Sequence, residues 1–362
     1  MLLLCLMPAL LPGPARAEET DAVWEAQTAA LDTAGLERLG QDYLDGVTLD
    51  PAADLDGGLA LLWQTLRARS TGIVRDALRS GVLLLAVALL CACADALWER
   101  KGEGLNAVRL AGALGVTALA GMELNTITGL GREALANMDL FSKALLPVLT
   151  AAAAASGSPT AATMRQVATM FASDLLLTAG NRLLLPLIYA FVAVSMVCAA
   201  AGNPGLRQVA ALLKWTVTTI LSVLLMAFVG YLLASRAIAG PVDAAAVKAA
   251  RFALSGAIPV VGGILRDASE VILAGAGILR GAVGLFGMLV ILAICLTPFL
   301  QMAAHYLVYK AAAALAAVVA DPTLAELIGA IGGAFALLMG LMAASGLVLL
   351  CSIVSAVTIA AG

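Results

Sequence analysis

The chain has 362 residues, 62% of them hydrophobic and 12% charged, with a net charge of -3 at pH 7. An ordinary soluble domain carries about a quarter charged residues, so this composition excludes a water-soluble fold of ordinary surface. The small negative charge, and the lack of basic runs interleaved with aromatics, leave no electrostatic footprint for nucleic acid.

Residues 2 to 11 form an apolar run interrupted by Pro8, followed by Pro12, Gly13 and Pro14 and then by Ala15-Arg16-Ala17. The last three have the small-x-small form of a signal-peptidase site, which predicts a signal peptide over 1–17 and a mature chain from Glu18. Residues 18–79 then carry 12 of the 24 carboxylates and five basic residues, against 12 acids and 15 bases in 80–362. Two regions with different solvents follow from that imbalance.

Short helical patterns (Val23, Trp24, Gln27, Leu31; Leu36, Leu39, Tyr43, Leu44) alternate with Asp-rich turns up to Gly58. About 60 residues bury little core alone, so the segment reads equally as a partner-docking surface or as a solvated acidic linker. Leu59 to Leu78 reads as an amphipathic helix with Arg67, Arg69, Arg75 and Arg79 near the membrane entry. The positive-inside rule would place those arginines in the cytoplasm; the signal peptide takes precedence and makes 18–79 an acidic extracytoplasmic helical segment.

A spanning helix needs about 20 mostly apolar residues. Residues 80–362 therefore form a multi-pass transmembrane domain, with strong spans at 81–98, 105–124, 183–202, 211–234, 281–300 and 333–361. Two further runs leave the total between six and eight. The run 301–320 carries His305 and Lys310, and must face protein or water along one side. The run 140–156 contains Pro147 and ends in Ser156-Gly157-Ser158-Pro159, so it is expected to be short or bent.

Residues 252–280 are the least like an ordinary span. Gly256, Pro259, Gly262 and Gly263 fall in one apolar run, where proline removes a backbone donor and glycine frees the backbone. Unpaired backbone groups cannot face lipid, so a broken or re-entrant segment here must line a cavity or a subunit contact. A helix half in and half out of lipid follows, with Arg266, Asp267, Glu270 and Arg280 on its polar side. Asp267 and Glu270, with Asp174, are candidate coupling carboxylates, although Arg266 and Glu270 have the spacing of an ordinary surface pair. Lys310 either snorkels to an interface or pairs inside the bundle. The order broken segment, semi-polar helix, span occurs twice, over 141–202 and 252–300, as in repeat-built transport folds.

No catalytic apparatus is legible. The six cysteines all lie in apolar runs without zinc-ligand spacing, His305 is the only histidine, and no phosphate-binding Gly-x-x-x-x-Gly-Lys-Ser/Thr loop is present. No enzyme activity, metal or cofactor is expected. Gly277, Gly281, Gly284 and Gly287, with Gly329, Gly332 and Gly333, are small residues suited to close helix packing or to a homo-oligomer. The fold class is thus an all-α polytopic membrane protein behind a small helical extracytoplasmic segment.

As a set, these residues resemble a known family. Ala250-Arg251-Phe252 through Pro259 to Gly263, Arg266-Asp267-Ala268, Ala282-Val283-Gly284 and Tyr309-Lys310-Ala311-Ala312-Ala313 resemble the C-terminal half of stage III sporulation protein AE. Leu145-Leu146-Pro147, Ala155-Ser156-Gly157 and Leu185-Pro186-Leu187-Ile188 are similar too. The resemblance implies the mother-cell-derived membrane around the forespore, with residues 18–79 in the intermembrane space. It also implies a secretion-like channel complex between mother cell and forespore, with a secretion-type ATPase and ring-forming proteins of the stage III A set as partners. The alternative is a self-sufficient secondary transporter whose substrate site lies at the broken helices; an intramembrane enzyme would lack a paired nucleophile and base.

Overall fold

A computed structural model describes residues 33–44, 49, 55–98, 105–156, 159–201, 204–257 and 262–358, with the backbone path alone over most of 235–275. The expected signal peptide, residues 18–32 and Pro259 lie outside these residues. The described part is helical: α1 (Thr33–Gln41), α2 (Leu55–Trp98), α3 (Leu105–Ala155), α4 (Pro159–Ala179), α5 (Leu185–Ala201), α6 (Pro204–Ala257), α7 (Gly262–Val319) and α8 (Pro322–Thr358). A π turn, Gly180–Leu184, joins α4 to α5.

The helix starts follow from the sequence. α4, α6 and α8 each begin at a proline, whose fixed φ and missing N–H suit the first helical position. At α8 the cap is visible: the Thr323 amide donates to Asp321 Oδ1 at 2.7 Å, as an aspartate ahead of Pro322 should allow. The π turn has a comparable cause. Pro186 has no amide to give the carbonyl four residues back, and the register widens there so that Leu185 N–H bonds Gly180 O.

Among the described residues, six stretches are long and apolar enough to cross a membrane: Asp56–Ala94, Leu110–Ala155, Ala162–Ala201, Gly205–Ala234, Ala276–Val319 and Pro322–Val357. The chain is a multi-pass helical membrane protein. Its helices are longer than the strong runs suggested, because neighbouring runs fuse. The runs 281–300 and 301–320 are both in α7, and the run 140–156 is the end of α3, so neither adds a separate span. Pro147 does not shorten its segment; it sits on an exposed face of α3, which continues to Ala155. The amphipathic stretch 59–78 and the span 81–98 are likewise one helix, α2, so the boundary expected at 79/80 falls inside it. At 1.5 Å per residue α7 is roughly 87 Å long, against a hydrocarbon core of about 30 Å.

Side-chain pairings fix the topology. Arg69 bonds Thr297 at 3.3 Å, and Gly81 packs on Val308, so α2 runs parallel to α7. Gly131 faces Met302 and Gly287 faces Leu145, so α3 runs antiparallel to α7. Gly332 on Tyr309 and Arg280 on the Val357 carbonyl make α8 antiparallel to α7. The hydroxyls of Thr169 and Ser352 bond at 2.5 Å, and Arg207 meets Glu326, which aligns α4 and α6 against α8. The result is an up-and-down bundle with α7 and α8 at its centre, where Val283, Ile291, Tyr309, Ile328, Ile331 and Phe335 are fully buried.

The small-residue stripe divides in two. A Cβ on Gly287 would stand 2.5 Å from Leu145 Cδ2, and one on Gly284 would collide with Val357, so both let helices approach. Gly277 and Gly281 meet nothing within 4 Å among the described residues, and make no such contact. The first described part of the acidic segment is also packed. Leu36 and Leu44 are buried, and Gly40 of α1 lies against Phe286 and Val290 of α7, so this stretch is seated on the bundle.

Candidate functional site: a polar cleft inside the bundle

The expected site residues do not converge. Gly256 is in the last turn of α6, while Gly262, Gly263, Asp267 and Glu270 occupy the first turns of α7. Lys310 lies near the other end of the same helix, on the order of 60 Å away along the axis. Pro147 faces outward from α3 and Asp174 is exposed on α4. Two of these helices, α6 and α7, do end and begin on either side of 258–261.

The structure instead gathers polar groups where α2, α3, α7 and α8 meet. Glu123 projects from the middle of α3. Its Oε2 accepts a 2.6 Å hydrogen bond from the Tyr309 hydroxyl of α7, and its Oε1 pairs with the Ser80 hydroxyl of α2. Tyr309 is fully buried and Ser80 nearly so, which makes both donors hard to replace by solvent. His305, one turn before Tyr309, directs Nε2 to within 3.9 Å of Glu123 Oε2. Its Nδ1 lies 2.8 Å from the Gln301 carbonyl oxygen, an acceptor only, so the proton of the neutral ring belongs on Nδ1. Nε2 then faces the carboxylate as a second acceptor, and one added proton would turn the contact into an ion pair. Phe335 of α8 closes the cluster, with its ring centroid 5.1 Å from Tyr309 edge-on and 5.4 Å from His305.

A cavity of about 350 Å³ opens onto this cluster, lined among others by Asp76, Ser80, Glu123, Thr126, Gln301 and His305. A second, of about 250 Å³, shares Leu130 and Gln301 with it and reaches Asp42, Tyr43, Arg69 and Glu133 beside α1. Together they trace a polar cleft from the α1 end of the bundle to Glu123. Gln301, at the junction, has a buried Oε1 with no partner among the described residues. At the outer end, burial and then the charges of Asp42 and Glu133 push the Tyr43 phenol above its ordinary range.

Glu123 and Ser80 were not singled out by sequence. The signal existed: Glu123 is the one carboxylate in the run 105–124, and an ionisable group inside a span marks a functional site by default. No group of three or more His, Cys, Asp or Glu side chains able to hold a metal occurs among the described residues.

A multi-pass helical bundle with a half-buried, hydroxyl-bonded carboxylate at the inner end of a polar cleft defines an integral membrane protein with an internal polar site. Comparison with known proteins gives its kind. The chain matches the family Stage III sporulation protein AE over residues 78–362 and belongs to that family. It is 28% identical over 186 residues to stage III sporulation protein AE of Bacillus subtilis (strain 168). That match covers 51% of this chain and 46% of the relative, so the chain spans about half the length of the curated protein it matches. No solved structure matches.

Proposed function

We propose that this chain is a membrane-embedded subunit of the channel complex that links mother cell and forespore, and that it acts there as a conduit or base and not as an enzyme. Membership of a sporulation family over residues 78–362 carries the reading. In this reading its partners are a secretion-type ATPase and ring-forming proteins of the same complex, and it resides in the membrane around the forespore. The part of 18–79 ahead of α2 faces the intermembrane space, where α1, held against Phe286 and Val290, presents its outer side to a ring-forming partner. The polar cleft gives the bundle an internal surface that lipid cannot cover, as a conduit component requires. A self-sufficient transporter has less behind it, because its expected carboxylates, Asp267 and Glu270, lie at the far end of α7 from the cleft's inner end.

Deletion of residues 20–58 tests the docking part of this reading. The shortened protein should remain in the membrane, lose its partners in detergent pull-downs and block late spore development. Full retention of partners and normal spores would contradict it.

A further inference from the structure

At the end of the bundle away from α1, two helix junctions meet: α5 ends at Ala201 and α6 begins at Pro204, and α7 ends at Val319 and α8 begins at Pro322. Between these four helices lies a cavity of about 510 Å³, the largest of those described. Its walls are mainly small or apolar, with Ala199, Ala210, Leu327 and Ala330 among them, yet Arg207, Lys214 and Lys310 all line it. One carboxylate, Glu326, is present, and it is held by Arg207 at 2.5 Å. Lys214 and Lys310 are paired with no carboxylate among the described residues. The wall hydroxyls are already committed, Ser195 to the Phe191 carbonyl at 2.7 Å and Thr323 to Asp321.

Lys214 and Lys310 are exposed at this cavity and, with Arg207 offset by Glu326, give its lining a net positive charge that a bound anion complements. Lys214 is ten residues into α6 and Lys310 nine from the end of α7, so each amine's helix position is roughly 15 Å in from the junctions. Both lie inside stretches long enough to cross a membrane, and a lysine stem there carries its amine toward the nearer interface, where lipid headgroups lie. Leu212 and Trp215, on either side of Lys214, supply such a flank, being 59% and 61% exposed. Basic pockets between transmembrane helices commonly take lipid phosphates.

We propose that this cavity binds a phosphate-bearing anion between Lys214 and Lys310, and that the anion is the headgroup of an acidic phospholipid lying along the Leu212–Trp215 face. The site is separate from the Glu123 cleft and does not depend on the channel reading.

The test uses the full-length protein in a neutral detergent, with the thermal midpoint read after addition of phosphatidylglycerol, phosphatidylcholine or inorganic phosphate. Phosphatidylglycerol should raise the midpoint by about 3 °C or more at saturation, and phosphatidylcholine should not. The double variant Lys214→Gln, Lys310→Gln should lose the shift, while Lys143→Gln, an exposed lysine on α3, should keep it. An equal shift with inorganic phosphate would keep the anion site and overturn the lipid as its source. A phosphatidylglycerol shift that survives in the double variant, or no shift with either anion, overturns the proposal. If the double variant does not purify, native mass spectrometry decides on single variants: Lys310→Arg should retain the acidic lipid and Lys310→Gln should release it. Equal retention by the two would refute the site.

Discussion

Tyr309 of α7 donates its phenolic hydrogen to Oε2 of Glu123 of α3 across 2.6 Å, and this bond joins the bundle's most buried tyrosine to the inner end of its polar cleft. A hydrogen bond to a carboxylate is worth about 1.5–3 kcal/mol in a water-soluble protein, and interhelical bonds in membranes average nearer 0.6. Tyr309→Phe should therefore destabilise the protein by about 1 kcal/mol, seen as a lower thermal midpoint in detergent. Glu123→Gln keeps the shape and replaces one acceptor oxygen by an NH2 donor, to which a hydroxyl can turn its lone pair, so it should fold nearly as the wild type does. If the carboxylate serves the cleft, Glu123→Gln should nevertheless lower spore yield more than Tyr309→Phe. Normal spore yield from a well-expressed Glu123→Gln protein would reduce the cluster to a structural bond.

The glycine stripe offers a paired test of packing. Leu145 is buried at 1% exposure and has no room to retreat, so Gly287→Leu should cost about 1–3 kcal/mol through overpacking. Gly277→Leu, at a position where a Cβ meets nothing within 4 Å among the described residues, should stay within about 0.5 kcal/mol of the parent. Chemical-denaturation midpoints in detergent read both, and equal effects would mean that the α3–α7 approach is not as close as described.

The membrane class and the six apolar stretches were legible in the sequence, because twenty apolar residues in a row have few other uses. Helix ends were less so. Hydropathy marks where lipid begins, and α2, α3 and α7 run on through polar stretches, since helical backbone bonds continue whether the side chains meet lipid, protein or water. Pro147 did not shorten its helix for a related reason: a proline on an exposed face costs one donor but does not end a helix held by its neighbours on the other side. The cleft was hidden because its residues come from helices far apart in sequence: Ser80, Glu123 and Tyr309 meet only once α2, α3 and α7 are in register. The small-residue pattern was half informative, as Gly284 and Gly287 pack closely while Gly277 and Gly281 meet nothing within 4 Å among the described residues.

The segment around Pro259 carries a prediction of its own. We propose that Gly256, Pro259, Gly262 and Gly263, between the end of α6 and the start of α7, line a cavity or a subunit contact. Single cysteines placed over 256–263, with the six native cysteines removed, should react with a membrane-impermeant thiol reagent at some positions and be shielded at others when partners are present. Uniform protection, together with normal activity of Pro259→Ala and Gly262→Leu, would indicate an ordinary lipid-facing stretch.

The central claim is that this chain works as part of a larger sporulation assembly. The most direct measurement is affinity isolation of the full-length protein in mild detergent from sporulating cells of its own host, with mass spectrometry of what comes with it. The account predicts a secretion-type ATPase and ring-forming proteins in fixed proportion to the bait, recovered from the wild type and lost when residues 20–58 are deleted. Recovery of the chain alone, from cells in which those proteins are abundant, would contradict it.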